Sequence, residues 1–365
     1  MSGARVQSVL VYSAQMEAIG GIESHVREFC LRLAAAGRQV TLLSSRSSMD
    51  AVTRESLMSA GVALVLNEAP WLTTSPLRKW VWTLAALARL SLRRFDVVYT
   101  NGQGKNPATV QRWFRGRTRV VHHHHTSIDA TDIQTWPAAY REAMRKADVL
   151  VVCADFIRHR MQTAIGRKDV DVAYCFSRKM PATARTPAPQ SPVVFGYFGR
   201  LIEGKGIDWI QRLSQEPRLG GIRWKIWGNE GHYRASDFAG FDRIDYEGGF
   251  AGQEGLRAAL DALDCFTLFS TWLEGLPVSL MEVMGAGKPW LATPEGGIPE
   301  LAHDPASCVL VRLDDYENVV AVCLAMEARI RAGQIDHAAQ RAFYESRLGE
   351  RALLEKWLAL FEGRA

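Results

Sequence analysis

Glu274-Gly-Leu-Pro-Val-Ser-Leu-Met-Glu282-Val-Met-Gly-Ala-Gly-Lys-Pro289-Trp-Leu-Ala-Thr293 sets two carboxylates around a helix start. Before it, Cys265 to Ser270 is an apolar, partly aromatic run of the kind that forms a buried parallel strand, and Trp290 to Thr293 reads as the next strand. Pro277 suits the first helical turn, where its missing N–H costs nothing. Gly285 and Gly287 close the helix before Lys288-Pro289 imposes extended chain. Glu274 is therefore expected in a loop at the carboxyl end of a strand, and Glu282 about one and a half turns inside the helix. In open α/β sheets that crevice is where ligands bind. Carboxylates there can accept hydrogen bonds from sugar hydroxyls, and the backbone N–H groups of a helix start suit an anion.

Working outward, Val194-Phe-Gly-Tyr-Phe-Gly-Arg200-Leu-Ile-Glu-Gly-Lys205-Gly206 reads as a strand, a glycine turn and two cations on one loop, with a helix beginning around Gly206 to Trp209. Ile226-Trp-Gly228-Asn229-Glu-Gly231 and Tyr246-Glu-Gly-Gly-Phe250 each end a further short strand. At the other end of the chain Val9 to Tyr12 is a strand. Gly20-Gly21 then opens an amphipathic helix that reaches Ala36, and the next strand runs from Val40 to Leu43. A Gly-Gly turn entering a helix lets a ligand approach backbone amides. The three-glycine dinucleotide fingerprint is absent from this position, which argues against a dehydrogenase.

The Glu-(seven residues)-Glu spacing, with its Gly-Leu-Pro, Gly-Ala-Gly-Lys-Pro and Gly296-Gly297-Ile298-Pro299-Glu300 surroundings, resembles the donor signature of the GT-B retaining glycosyltransferases of the family-four group. That resemblance implies two Rossmann-like doubly wound α/β domains facing a cleft. It also implies that Glu274 binds the transferred sugar, that Glu282 binds the ribose, and that Arg200 and Lys205 hold the donor diphosphate. A leaving group gaining negative charge needs fixed positive charge, which is the physical reason for such a pair. Gly20 and Gly21 match the family's N-terminal glycine loop. Gly228, Asn229 and Phe250 fall in loops similar to those around the nucleotide, and Gly275, Leu276 and Pro277 join the donor wall. Leu276-Pro277 stands where many members have Phe-Gly, a departure that leaves donor identity open.

Thr118-Arg-Val-Val-His122-His123-His124-His125-Thr-Ser is the oddest stretch. A strand throws alternate imidazoles to opposite faces, so at most two of the four can share a site. The family places a histidine at the end of the corresponding strand, near acceptor and transferred sugar. His125 is the first choice for it, with His123, on the same face, the second. Asp169-Val-Asp171 imitates a metal-binding Asp-x-Asp pattern beside a short strand and reads as surface, so no metal and no cofactor is expected.

With 365 residues and 47% hydrophobic content the chain can bury two cores. Pro-rich sequence over 181–192 reads as a linker, which gives an N-terminal acceptor-binding domain at 1–180, a C-terminal nucleotide-sugar-binding domain at 193–345, and a final helix at 346–365 crossing back to the first domain. Its apolar stripe is Leu353, Leu354, Trp357, Leu358 and Phe361. Six scattered cysteines suggest neither zinc nor disulfides. No secretory signal reads at the first five residues and no uncharged run approaches the ~20 residues of a membrane span, so a cytoplasmic protein is expected.

Between Leu72 and Arg119, ten cations face one acid, Asp96, with Trp71, Trp80, Trp82 and Trp113 interleaved. Leu77 to Arg94 reads as an amphipathic helix whose stripe (Leu77, Trp80, Val81, Leu84, Leu87) suits either an anionic membrane surface or an ordinary core. No recognition motif accompanies the charge, so nucleic acid is not an expected partner. Taken together, the expected function is a retaining hexosyl or N-acetylhexosaminyl transferase. It would use a nucleoside-diphosphate sugar, UDP favoured over GDP, on a saccharide or lipid-linked saccharide acceptor in bacterial cell-surface polysaccharide or lipopolysaccharide synthesis, with peripheral attachment to the inner face of the plasma membrane as an option. Another nucleotide-sugar enzyme of epimerase or phosphorylase type, or a non-catalytic sugar-nucleotide or lipid-surface binding protein, are the alternatives.

Overall fold

The computed structural model describes residues 6–16, 21–45, 47, 49–68, 75–128, 130–181, 190–250 and 252–364. Two compact units make up the chain, one formed by 1–176 with 350–365, the other by 177–349. The first unit thus ends four residues before the expected boundary. Ser177 and Arg178 already bond within the second unit, to Tyr344 (2.9 Å) and Glu282 (2.7 Å). Most of the Pro-rich linker, 182–189, lies outside the described residues.

In the first unit, seven strands form one parallel sheet: β1 (Ser8–Ser13), β2 (Gln39–Ser44), β3 (Ala63–Leu66), β4 (Val97–Asn101), β5 (Arg119–His124), β6 (Val149–Val152) and β7 (Asp171–Val172), in the order β3-β2-β1-β4-β5-β6-β7. Helices fill the crossovers, as parallel pairing requires. Buried Val and Leu on both faces of β1 and β4 make these strands near-continuous apolar runs. The Glu350–Glu362 helix belongs to this unit. Leu353, Trp357, Leu360 and Phe361 enter its core beside Val26, Phe29 and Leu33 of the Gly21–Ala35 helix, while Leu354 and Leu358 pack at the edge.

The second unit holds β8 (Val193–Phe198), β9 (Ile222–Trp227), β10 (Ile244–Gly248), β11 (Cys265–Leu268), β12 (Trp290–Ala292) and β13 (Cys308–Leu310), again all parallel, in the order β10-β9-β8-β11-β12-β13. Strand order reverses between β8 and β11 there, and between β1 and β4 in the first unit. Each reversal is a topological switch point, where the loops after adjacent strands diverge and leave a crevice. The expected strands occur with ends moved by no more than two residues, and the final helix spans Glu350–Glu362 rather than 346–365. The basic amphipathic helix spans Pro76–Leu90 and stops short of Arg94.

Candidate functional site

At the switch point of the second unit, the loop after β8 and the loop after β11 are pressed together. Gly206 adopts a left-handed backbone (φ +78°), and a Cβ there would sit 2.3 Å from the carbonyl oxygen of Phe269. Only glycine permits that approach. Thr271 N–H donates to the Gly204 carbonyl at 2.9 Å, tying the loops further. Lys205 is thereby carried to Glu274, and its Nζ lies 2.5 Å from Oε1, with both side chains largely buried. From the other side, Gly296 (φ +63°) comes so close that a Cβ would lie 1.8 Å from the Glu274 carbonyl oxygen, which also accepts from Gly297 N–H at 3.1 Å. Glu274 is thus fixed by two glycine loops that the sequence showed only as turns.

Arg200 is not brought into this contact. Its carbonyl accepts from the Tyr197 hydroxyl at 2.9 Å, but its side chain is exposed and has no hydrogen bond or ion pair among the described residues. Of the two expected diphosphate cations, Lys205 is held in an ion pair and Arg200 is exposed.

Helix Val278–Gly285 begins one residue later than expected, with Pro277 as its extended N-cap residue (ψ 117°). Glu282 is 2% exposed and meets Arg178, whose Nε donates at 2.7 Å to Oε1 and whose Nη2 donates at 3.3 Å to Oε2. Arg178 Nη1 also donates to the Gly252 carbonyl at 3.0 Å, and its guanidinium stands 5.8 Å from the Phe250 ring. No motif surrounds Arg178, and a contact across 104 residues leaves no local signal. Gly228 lies so near the Gly199 carbonyl that a Cβ would be 2.3 Å from it, and Asn229 Oδ1 occupies the space a Cβ on Gly249 would need. Gly275 is half-buried and Leu276 buried beside the carboxylates. Gly20 lies outside the described residues. Gly21 opens its helix as expected.

The histidines divide by face as strand alternation requires. His122 and His124 point to Tyr140, at 2.9 and 3.0 Å, while His123 and His125 lie against each other, tilted by 47°, with ring centroids 3.9 Å apart. A residue missed at the sequence level, His25, joins the second pair. Burial pulls the His25, His122 and His124 imidazoles down to about 3 and depresses His123 and His125 well below the ordinary range, so all five are neutral near pH 7. For His25, neutrality and one backbone contact fix the proton position. Phe176 N–H donates to His25 Nδ1 at 2.9 Å, so the His25 proton is on Nε2 and goes to the Tyr99 hydroxyl at 3.1 Å. The Tyr99 hydroxyl also lies 2.9 Å from His123 Nδ1, so one hydroxyl links the two imidazoles. The Nε2 atoms of His123 and His125 are buried without a partner among the described residues.

His25, His123 and His125 bring ring nitrogens within 4.8 Å of one another, a spacing that could suit a metal. The donor set fits poorly. His25 could ligate through Nε2 only by moving its proton to Nδ1, against the Phe176 N–H, so two ligands remain where zinc takes three or four. Asp169 of the Asp-x-Asp imitation is paired with Arg167 at 2.7 Å.

The basic helix of the first unit is divided. Leu87 and Leu90 are buried, whereas Leu77, Trp80 and Val81 are 68%, 50% and 54% exposed. Trp80 rims a groove of about 440 Å³ lined also by Lys105, Arg112, Arg115, Glu142 and Lys146. Trp71 and Leu72 lie outside the described residues. No helix among the described residues is long and apolar enough to cross a membrane.

Residues 19–176 match the family model described as Glycosyltransferase Family 4, and residues 192–327 match the model described as Glycosyl transferases group 1. The putative colanic acid biosynthesis glycosyltransferase WcaL of Salmonella typhimurium is 25% identical over 248 residues, covering 62% of this chain and 59% of that protein. The chain therefore spans about three fifths of the length of that relative. The amylovoran biosynthesis glycosyltransferase AmsK of Erwinia amylovora is 34% identical over 116 residues, 27% of this chain and 28% of its own. Among solved structures, Anabaena Alr3699/HepE in complex with UDP and glucose aligns over 98% of this chain and 100% of its own at 16% identity, with a TM-score of 0.73. The lipopolysaccharide outer core galactosyltransferase WaaB aligns over 98% and 100% at 15% identity, with a TM-score of 0.71. At such identities these last two likenesses establish the fold.

Proposed function

Since the chain belongs to the GT-B glycosyltransferases of the family-four type, we propose that it moves a hexose or N-acetylhexosamine from a nucleoside-diphosphate sugar to a saccharide acceptor, with retention at the anomeric carbon, in the synthesis of a cell-surface polysaccharide or lipopolysaccharide. One observation carries the reading. A lysine and a carboxylate meet at the β8/β11 switch point, each supplied by a different strand end. Ligand crevices in such sheets lie at these points.

In this reading Lys205 and Arg200 take up the charge of the departing diphosphate, Glu274 orients the transferred sugar and Glu282 the ribose. His125 serves the reacting sugar or the acceptor, with His123 behind it. The leaving phosphate oxygen accepts the acceptor's proton, so no protein nucleophile is required. Fixed charge at the site of developing charge is the main source of rate, and the Lys205–Glu274 pair keeps the ammonium in place before the donor arrives. Two cations at the diphosphate do the work of a divalent ion, so turnover is expected to survive chelation. A UDP-sugar donor is favoured, in keeping with the UDP named for HepE. A lipid-linked acceptor would be met at the inner membrane surface, for which the exposed Leu77, Trp80 and Val81 beside Lys105, Arg112 and Arg115 are suited.

A thermal-shift panel of UDP, GDP and their sugars, followed by product analysis with and without chelator, tests this. Stabilisation by one nucleotide family and metal-independent transfer with retained configuration are expected. A donor sugar altered without any acceptor would point to an epimerase, and donor binding with no turnover in the presence of candidate acceptors to a non-catalytic binding protein.

A further inference from the structure

Arg178 has no role in any of the chemistry above, yet it is firmly anchored in the second unit. Its three guanidinium nitrogens are all committed: Nε and Nη2 to the two oxygens of Glu282 at 2.7 and 3.3 Å, Nη1 to the Gly252 carbonyl at 3.0 Å. The side chain is 14% exposed and Glu282's 3%. Its guanidinium also stands near the Phe250 ring, which packs on Phe198 at the end of β8. Neighbours hold the segment in turn: Ser177 bonds Tyr344 at 2.9 Å, and Gln253 donates to the Lys179 carbonyl at 3.0 Å.

Glu282 sits on a short helix with only χ angles to fix its carboxylate. A bidentate guanidinium removes that freedom, because the fork matches both oxygens in one plane. Each carboxylate oxygen has two lone-pair positions, so a partner on one side of the group leaves the other side able to accept from a diol. Resting on the reading of Glu282 as the ribose carboxylate, we infer that Arg178 is the positioning residue for ribose recognition: it sets the plane in which Glu282 presents its free lone pairs to the 2′ and 3′ hydroxyls of a nucleoside diphosphate. The opposing possibility is an ion pair that only stitches 177–179 to its unit.

The two differ in how they treat a missing hydroxyl. Calorimetry on the full chain would compare UDP with 2′-deoxy-UDP, and GDP with 2′-deoxy-GDP, for the wild type, Arg178→Met, Arg178→Lys and Glu282→Gln. Wild type should favour the ribonucleotide by about tenfold or more, the scale of one hydrogen bond to a charged group. Both Arg178→Met and Glu282→Gln should bring the ratio to within about twofold, the double variant should be no worse than Glu282→Gln alone, and Arg178→Lys should restore part of the ratio. An Arg178→Met protein that keeps the wild-type ratio, even with both affinities lowered, would overturn the inference and leave a structural ion pair. Should that variant fail to fold by circular dichroism, Arg178→Lys decides: an intermediate ratio supports the positioning role and an unchanged ratio refutes it. Failure of all four nucleotides to bind wild type would instead remove the donor reading itself, and binding without any ribose preference would remove the role of Glu282.

Discussion

Lys205 and Arg200 look equivalent as letters, but the structure makes them different experiments. Arg200 is exposed and free of side-chain partners among the described residues, so Arg200→Ala should lower turnover by on the order of 10²–10³ with thermal stability unchanged. Lys205→Ala should lose as much turnover and also leave Glu274, 9% exposed, without its cation, at a cost of about 3 kcal/mol. Turnover assays paired with denaturant unfolding check both. Normal turnover in a folded double variant would remove the diphosphate assignment, and equal stability of the two single variants would mean that the ion pair contributes nothing. The sequence made Glu274, Glu282, Arg200 and Lys205 visible because each lies in a short motif with local spacing. Arg178 and His25 were not visible. Their partners are distant in sequence, and an isolated arginine or histidine carries no pattern until the fold supplies its neighbour.

Among the elements, strands and crossover helices were legible because apolar runs, glycine stops and proline restrictions act over a few residues. Which face of a helix is covered depends on what packs against it, and that is not local. The Pro76–Leu90 helix shows this: its stripe reads as one continuous surface, but the protein buries Leu87 and leaves Leu77, Trp80 and Val81 exposed. Its N-terminal half is therefore the candidate for a membrane contact, alongside Arg112 and Arg115. Vesicle sedimentation should find binding that requires anionic lipid, weakens as salt rises, and falls with Trp80→Ser or with Arg112 and Arg115 both neutralised, each cation near the surface being worth about 1 kcal/mol. No binding at low salt would confine the enzyme to acceptors in solution, with the donor chemistry untouched.

At the scale of the whole molecule, the first unit places a demand on pH. The first unit buries five neutral imidazoles, from His25 and from 122–125, whose folded pKa values are pushed down, to about 3 in three cases. Below pH 6.5 the unfolded chain binds protons that the folded unit refuses, so stability increases with pH across the interval from about 3 to 6.5. It is fully present above 6.5 and lost on acidification, by up to about 1.4 kcal/mol per pH unit for each histidine. Calorimetric scans should show unfolding temperatures dropping steeply between pH 6.5 and 5, with uptake of several protons. A flat profile over that range would mean that the imidazoles are hydrated or charged.

The donor site itself is tested most directly by titrating UDP and a UDP-sugar into wild type, Glu274→Ala and Glu282→Ala in the calorimeter. Both ligands contain ribose and only one contains the transferred sugar. Glu282→Ala should weaken the two alike, whereas Glu274→Ala should weaken the UDP-sugar and leave UDP binding intact. Equal losses for both ligands in both variants, or no loss in either, would contradict a donor site built on these two carboxylates.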